Sequence, residues 1–242
     1  MKDYKELLAE GLAQICGKKD AAAIEKLLKF MDLVLQKNQV MNLTAITEPM
    51  DFVTKHYIDS LSICGSPAFQ KAKTVVDVGT GAGFPGMPLA IVFPEKQFLL
   101  MDSLNKRIRF LEEAVETLNL TNVKVLHARA EELGSAKEYR ESFDLCVSRA
   151  VAQMSVLCEY CIPFVTLGGY FVPYKADNEN LNLGEKAIKI LGGEWEDTKA
   201  FPPLTGDLSF LTFDHKLIYI KKIKNTPKQY PRKSGTPSKN PL

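Results

Sequence analysis

Apolar residues recur every three or four positions at Ile24, Leu27, Leu28, Met31, Val34 and Leu35. That period predicts an amphipathic helix, with Asp20 as a candidate N-cap. Met50, Val53, Tyr57 and Leu61 repeat the spacing after Thr47 and Pro49, and a polar-to-apolar connection over 38–46 joins the two stretches. Residues 1–65 therefore read as helical. From Thr74 the pattern changes. Short apolar, β-branched runs at 74–78, 97–102, 123–127, 143–148 and 169–173 alternate with helical stretches. Leu104, Ile108, Leu111, Val115 and Leu118 mark the clearest of these helices, and 179–191 is another. Runs at 194–201 and 216–223 then follow with no long helix between them, which predicts an antiparallel pair. Seven strands arranged this way make a doubly wound α/β sheet, mostly parallel, with an antiparallel strand near one edge. The chain divides into an N-terminal helical region (1–65), an α/β core (66–224) and a tail (225–242) rich in Pro, Lys and Ser. The last thirteen residues are low in complexity and expected to be mobile.

At 242 residues and 45% hydrophobic, the chain has enough apolar mass for a real core. The stretch 160–174 carries no charge, but it is too short to span a bilayer, and Pro163, Gly168, Gly169 and Pro173 interrupt it. It reads as a buried helix, a turn and a buried strand. The opening Lys2-Asp3-Tyr4-Lys5-Glu6 is unlike a signal peptide, and five cysteines is an odd count. Reduced thiols and a cytoplasmic location are expected. The net charge of +2 conceals a division. Residues 221–242 hold seven basic side chains and no acid, which leaves 24 basic against 29 acidic groups, a net of −5, in the first 220 residues.

Chemistry enters at Asp77, where the first strand breaks into glycines. Gly81-Ala82-Gly83-Phe84-Pro85-Gly86 fits the dinucleotide fingerprint, while Asp77-x-Gly79-x-Gly81-x-Gly83 looks like motif I of S-adenosylmethionine methyltransferases. Charge separates the two readings. A dinucleotide brings a pyrophosphate, which a carboxylate at Asp77 repels. S-adenosylmethionine brings an ammonium and a sulfonium, which it suits. In a doubly wound sheet ligands bind beyond the carboxyl ends of the strands. Asp102 ends strand 2, nineteen residues after Gly83, where it can accept both ribose hydroxyls. Arg129-Ala130-Glu131 follows strand 3 and reads either as an adenine contact or as a plain helix start. Ser148-Arg149-Ala150-Val151 ends strand 4 and faces the transferred methyl group.

Absences narrow the acceptor. The Asn/Asp-Pro-Pro-aromatic motif of exocyclic-amine methylation is missing at that place, and Phe201-Pro202-Pro203 comes too late in the chain to replace it. No Pro-Cys pair offers the nucleophile of C5-pyrimidine methylation. An acceptor needing no covalent help remains: N7 of guanine, or an enolate, thiol or carboxylate. Cys158-Glu159-Tyr160-Cys161 lacks a second ligand pair, and His56, His127 and His215 are scattered, so core thiols are expected and no metal. His56 reads as a helix-surface histidine, and Trp195 as a strand residue at the domain edge. Phosphate backbones reward uncompensated cations. Lys221, Lys222, Lys224, Lys228, Arg232, Lys233 and Lys239 in the tail read either as RNA-binding cations or as a solubilising terminus, and Lys175 joins the RNA-binding candidates by its place after strand 5 on the ligand face.

With these residues in place, the sequence resembles the bacterial ribosomal RNA small subunit methyltransferase G family, also called glucose-inhibited division protein B. The matching stretches include Met41-Asn42-Leu43-Thr44-Ala45-Ile46, Lys55-His56-Tyr57-Ile58-Asp59-Ser60-Leu61, the loop from Asp77, Arg129-Ala130-Glu131-Glu132, Ser148-Arg149-Ala150-Val151-Ala152 and Tyr230-Pro231-Arg232-Lys233-Ser234-Gly235-Thr236-Pro237. The resemblance implies the class I S-adenosylmethionine methyltransferase fold, Rossmann-like, with an N-terminal helical extension. It implies methyl transfer to N7 of one guanine in 16S ribosomal RNA, conventionally numbered 527, with free RNA or the small subunit as partner. It also implies cofactor contacts at Gly79, Phe84, Ala130, Glu131 and Arg149, which adds Phe84 and Arg149 to Asp77, Gly79, Gly81, Gly83 and Asp102. One departure is Lys175-Ala176, where the family has Lys-Gly. On the residues alone, a small-molecule methyltransferase or a non-catalytic S-adenosylmethionine binder stays open.

Overall fold

The structure is a computed structural model that describes residues 3–200, 204–209, 211, 213 and 215–242. Two helices open the chain, α1 (Tyr4–Cys16) and α2 (Ala21–Met41). Asp3 and Asp20 cap them by accepting backbone N–H groups of the first turns. α2 runs four residues into the expected 38–46 connection and stops at Asn42, whose φ of 48° is left-handed. The next helical stretch has three parts: α3 (Pro49–Phe52), a π-helical turn (Val53–Ile58) and α4 (Asp59–Leu61). The widened turn carries His56 and Tyr57, and such turns are frequent at functional sites. α5 (Pro67–Lys71) leads into the sheet.

The strands are β1 (Thr74–Val78), β2 (Gln97–Asp102), β3 (Val123–His127), β4 (Phe143–Arg149), β5 (Val165–Ala176), β6 (Gly193–Ala200) and β7 (His215–Lys222). Between them lie α6 (Gly86–Val92), α7 (Asn105–Thr117), α8 (Ala130–Ser135), α9 (Met154–Cys161) and α10 (Glu185–Ile190), and α11 (Thr236–Lys239) closes the chain. One seven-stranded sheet results, in the order β3-β2-β1-β4-β5-β7-β6, with β7 antiparallel to both of its neighbours. The order reverses between β1 and β4, so their carboxyl ends flank the crevice where ligands bind in such sheets. Most strand boundaries match the sequence reading within a residue. β5 does not: it begins four residues earlier than expected, because pairing with β4 resumes after a shift from Phe143–Val165 to Leu145–Tyr170. Trp195 lies on the edge strand β6, as read. Phe201, Pro202 and Pro203 lie outside the described residues.

Alternation along β1 builds two cores. Val75 faces one that contains Leu8, Leu12, Leu27, Phe30, Phe52 and Tyr57, so the N-terminal helices share a core with the sheet. Val76 and Val78 face the other, with Leu157, Cys158, Cys161 and Phe164. The CxxC cysteines are thus core side chains, and burial pushes both thiols up from their ordinary value.

The tail departs from expectation. It is packed, because its cations and prolines find partners on α8 and α9. Arg232 donates from N, Nε and Nη2 to the fully buried Glu159 at 2.6–3.1 Å, and Pro231 and Pro237 are buried. Lys222 is buried as well. It pairs with Glu141 at 3.2 Å and donates to Ile162 O, and burial draws it down to about 8. Neither Arg232 nor Lys222 is the free cation that the sequence suggested.

Candidate active site

The glycine loop leaves β1 with Gly79, Gly81 and Gly83 at φ of 72°, 62° and 102°. Side chains resist that region, which is why glycine stands there. A Cβ at Gly79 would lie 2.5 Å from Val151, and one at Gly83 would lie 2.7 Å from Met87. Gly81 differs: a Cβ there would meet nothing within 4 Å, so its backbone faces open space. Gly79 therefore brings main chain to the cavity wall and Gly81 leaves its own backbone open beside it, while Gly83 brings the loop onto its own helix.

Asp77 lies beneath this loop and does not reach the cavity. It is fully buried, and its Oδ2 accepts from Thr80 Oγ1 at 2.7 Å and Gly86 N at 2.8 Å. Burial raises its carboxyl to about 6. Its part is to brace the loop, not to touch a ligand directly. The Phe84 ring likewise points inward, among Phe30, Phe52, His56 and Tyr57.

Two cavities adjoin at the carboxyl ends of the strands and share Val151 as a wall. The first, of about 140 Å³, is lined by Gly79, Asp102, Ala130, Glu131, Tyr160 and Val151, among others. Asp102 is placed at its mouth by hydrogen bonds from Gly81 N (3.0 Å), Leu104 N (2.9 Å) and Arg107 Nη1 (3.2 Å). Glu131 accepts from Gly235 N at 2.8 Å. Glycine backbone on one side and two acids on the other suit a small organic cation with hydroxyls. A pyrophosphate would meet both carboxylates.

The second cavity, of about 690 Å³, lies between the helical region and the ends of β4, β5 and β7. Lys55, His56, Asp59, Arg149, Lys175 and His215 line it, along with Ala150, Val151 and Glu179. Arg149 is its organising group: Nη1 donates to Asp59 Oδ2 at 2.5 Å and to Lys55 O at 3.2 Å, and Nη2 stands 3.1 Å from His56 Nδ1. Asp59 is 1% exposed and also meets His215 Nε2. His56 is buried, contrary to the helix-surface reading. Burial first, then the Arg149 charge, lowers it to about 3. It is therefore neutral, and since a guanidinium only donates, Nδ1 accepts and Nε2 carries the proton. That proton goes to Thr44 Oγ1, 2.8 Å away. Lys175 also differs from expectation: it donates to Ala152 O and pairs with Glu179 at 2.8 Å, so it holds the β4 loop and is not a free RNA cation. Ala150, at φ 56°, is a strained residue in that loop and turns Val151 toward Gly79.

Of the residues singled out in the sequence, Asp102 at the end of β2 and Ala130 and Glu131 at the start of α8 line the smaller cavity, whereas Arg149 at the end of β4 lines the larger one. Sequence reasoning missed Thr44, Asp59 and His215. Asp59 stood inside a quoted stretch, but only the fold puts it under Arg149. Of the tail candidates, Lys221, Lys222, Lys224 and Lys228 lie at the other end of the sheet, because β7 runs antiparallel and leaves the cavities at His215. Lys233 and Lys239 are exposed and flank residues of the first cavity.

Residues 23–202 match the profile of GidB, rRNA small subunit methyltransferase G. The ribosomal RNA small subunit methyltransferase G of Alkaliphilus oremlandii is 47% identical over 242 residues, covering 99% of each chain. The same-named protein of Acetivibrio thermocellus is 47% identical over 240 residues, covering 98% of this chain and 96% of its own. Among solved structures, the ribosomal protein L11 methylase of Lactobacillus delbrueckii subsp. bulgaricus aligns with a TM-score of 0.50 at 17% identity, over 70% of this chain and 79% of its own. At that identity the likeness concerns the fold alone.

Proposed function

The chain belongs to the rRNA small subunit methyltransferase G family, and from that premise we propose that it methylates N7 of a guanine in 16S ribosomal RNA. Its methyl donor is S-adenosylmethionine, and its fold is that of the class I methyltransferases. The observation that carries the N7 reading is the wall of the larger cavity. Its titratable groups are already engaged: His56 with Arg149 and Thr44, Asp59 with Arg149 and His215, Lys175 with Glu179. Among the described residues no cysteine lines it. Such a wall offers neither a free base nor a nucleophile. N7 needs neither, because its lone pair is available and no proton leaves.

S-adenosylmethionine supplies a methyl group on a cationic sulfur. The protein's work is to place the acceptor in line with that bond, since positioning alone is worth several kcal/mol. Gly79, Gly81, Asp102, Ala130 and Glu131 would hold the cofactor in the smaller cavity. Asp77, Gly83, Phe84 and Arg149 act one layer behind, by fixing the loop and the wall between the cavities. Residues 1–65 complete the acceptor cavity, so the helical region and the 66–224 core work as one catalytic unit. Exposed Lys55, Arg129, Lys233 and Lys239 surround the mouths and suit phosphate. The test is incubation with tritiated S-adenosylmethionine and small subunits that lack the modification, beside free 16S RNA. Label in the RNA supports the assignment; label only in small molecules or protein contradicts it.

A further inference from the structure

The tail makes a closed circuit over the smaller cavity. After β7 the chain crosses the opposite end of the strands, where Arg140 donates to Thr226 O at 2.7 Å and Tyr230 O at 2.6 Å. It then turns back along α8. Pro231 packs on Gly134, where a Cβ would stand 3.4 Å from its ring. Ser234 Oγ donates to Glu132 Oε1 at 3.1 Å, and Gly235 N donates to Glu131 Oε1 at 2.8 Å. Arg232 fastens both ends of this return. It is bonded to buried Glu159 on α9, and its Nη2 also donates to Asn240 O at 2.9 Å. Between the two ends, Gly235 and Ser238 line the same cavity as Asp102, Ala130, Glu131 and Tyr160.

We propose that residues 231–240 are the outer wall of the cofactor site, clamped by Arg232, with Gly235 as the positioning residue that aims Glu131 into the cavity. The inference rests on the cofactor assignment above. Three features point to a wall and not only a packed terminus. The segment contributes its own surface to the cavity. The Gly235 amide takes up one oxygen of Glu131, which fixes the carboxylate's rotamer. Among the described residues the carboxylate that holds Arg232 is Glu159, itself fully buried, so the clamp is built into the core and cannot slide.

The experiment is titration calorimetry of the full-length protein with S-adenosylhomocysteine, combined with amide hydrogen exchange. Ser238→Trp changes an exposed position at the cavity rim and gives up the Ser238 Oγ hydrogen bond to Gly235 O, while Arg232, Glu159 and Glu131 keep their contacts. Its affinity is expected to fall by about tenfold or more, equivalent to about 1.4 kcal/mol, with the melting temperature unchanged. In the wild type, the ligand is expected to slow exchange of the 231–240 amides. Arg232→Ala is expected to speed that exchange and to weaken the ligand, and Arg232→Lys to recover part of both. Unchanged affinity in Ser238→Trp, or tail amides indifferent to the ligand, overturns the wall. A wild type that binds no S-adenosylhomocysteine would overturn the cofactor assignment instead, so the two failures are distinct.

Discussion

His56 lies face to face on Phe84, with ring centroids 4.3 Å apart and planes inclined by 6°. One ring belongs to the helical region and the other to the glycine loop. The guanidinium of Arg149 stands over the same Phe84 ring at 5.4 Å. The glycine loop, the wall of the larger cavity and the N-terminal helices thus share one packed junction. A change on either side reaches the other through side chains in contact.

The junction has a pH signature. His56 titrates near 6.5 when unfolded and at about 3 when folded. Its contribution to stability is therefore complete above pH 6.5 and declines as the pH falls toward 3. Between pH 6 and 4.5, urea unfolding of the wild type should lose stability faster than that of His56→Gln, by up to about 1.4 kcal/mol per pH unit. Parallel slopes would refute the buried neutral imidazole.

Asp59 should matter more than its distance from the glycine loop suggests. Asp59→Ala leaves the Arg149 guanidinium, 16% exposed, without its carboxylate. Breaking a buried pair from one side costs about 3–5 kcal/mol. Asp59→Asn, which keeps a hydrogen bond, should fold and should lose turnover while S-adenosylhomocysteine affinity stays within a few-fold. An Asp59→Asn enzyme of normal kcat would remove Arg149 orientation from the mechanism.

Gly81→Val should abolish cofactor binding. The side chain would occupy the open space over the loop from a residue at φ 62°, at a conformational cost of about 1–3 kcal/mol. Calorimetry of the variant reads this directly. The wild type should take up S-adenosylmethionine and give no heat with NAD, and saturable NAD binding instead would overturn the charge reading of the loop.

Methyl transfer should not need a thiol. Cys158 and Cys161 are wholly buried in the second core. A Cys158→Ala, Cys161→Ala double variant should lose roughly 1–2 kcal/mol of stability and keep turnover within a few-fold. Loss of activity with fold and cofactor affinity intact would point to a covalent step.

RNA should read the cavity end of the sheet. Lys233→Ala with Lys239→Ala removes two exposed cations at the smaller cavity, and each phosphate contact contributes a salt slope of about 0.7–0.9. The pair should lower the slope by about 1.4–1.8 units. Lys224→Ala with Lys228→Ala, at the opposite end of the sheet, should leave it unchanged. The reverse ranking would move the RNA to the other face.

The strands and the loop were legible in the sequence because their signals are local. β-branched runs, glycines at alternate positions and acids at strand ends need no partner to be recognised. What failed was non-local. Seven cations without an acid in the last 22 residues read as free charges on a mobile tail, since Glu159 and Glu141, which pair with Arg232 and Lys222, are supplied by distant segments. His56 read as a surface residue because helical spacing says nothing about Phe84 and Arg149 closing over it. The β5 start was hidden by a register shift, which only the β4 partner reveals.

The central claim concerns which atom receives the methyl group. Small subunits labelled by the purified protein should be reduced with borohydride and treated with aniline, which cleaves RNA at 7-methylguanosine, and the break then mapped by primer extension. One new break, at a single guanine of 16S RNA and dependent on S-adenosylmethionine, is the predicted result. RNA that carries the label but resists cleavage, with the label migrating as a guanine methylated on its exocyclic amine, would contradict it.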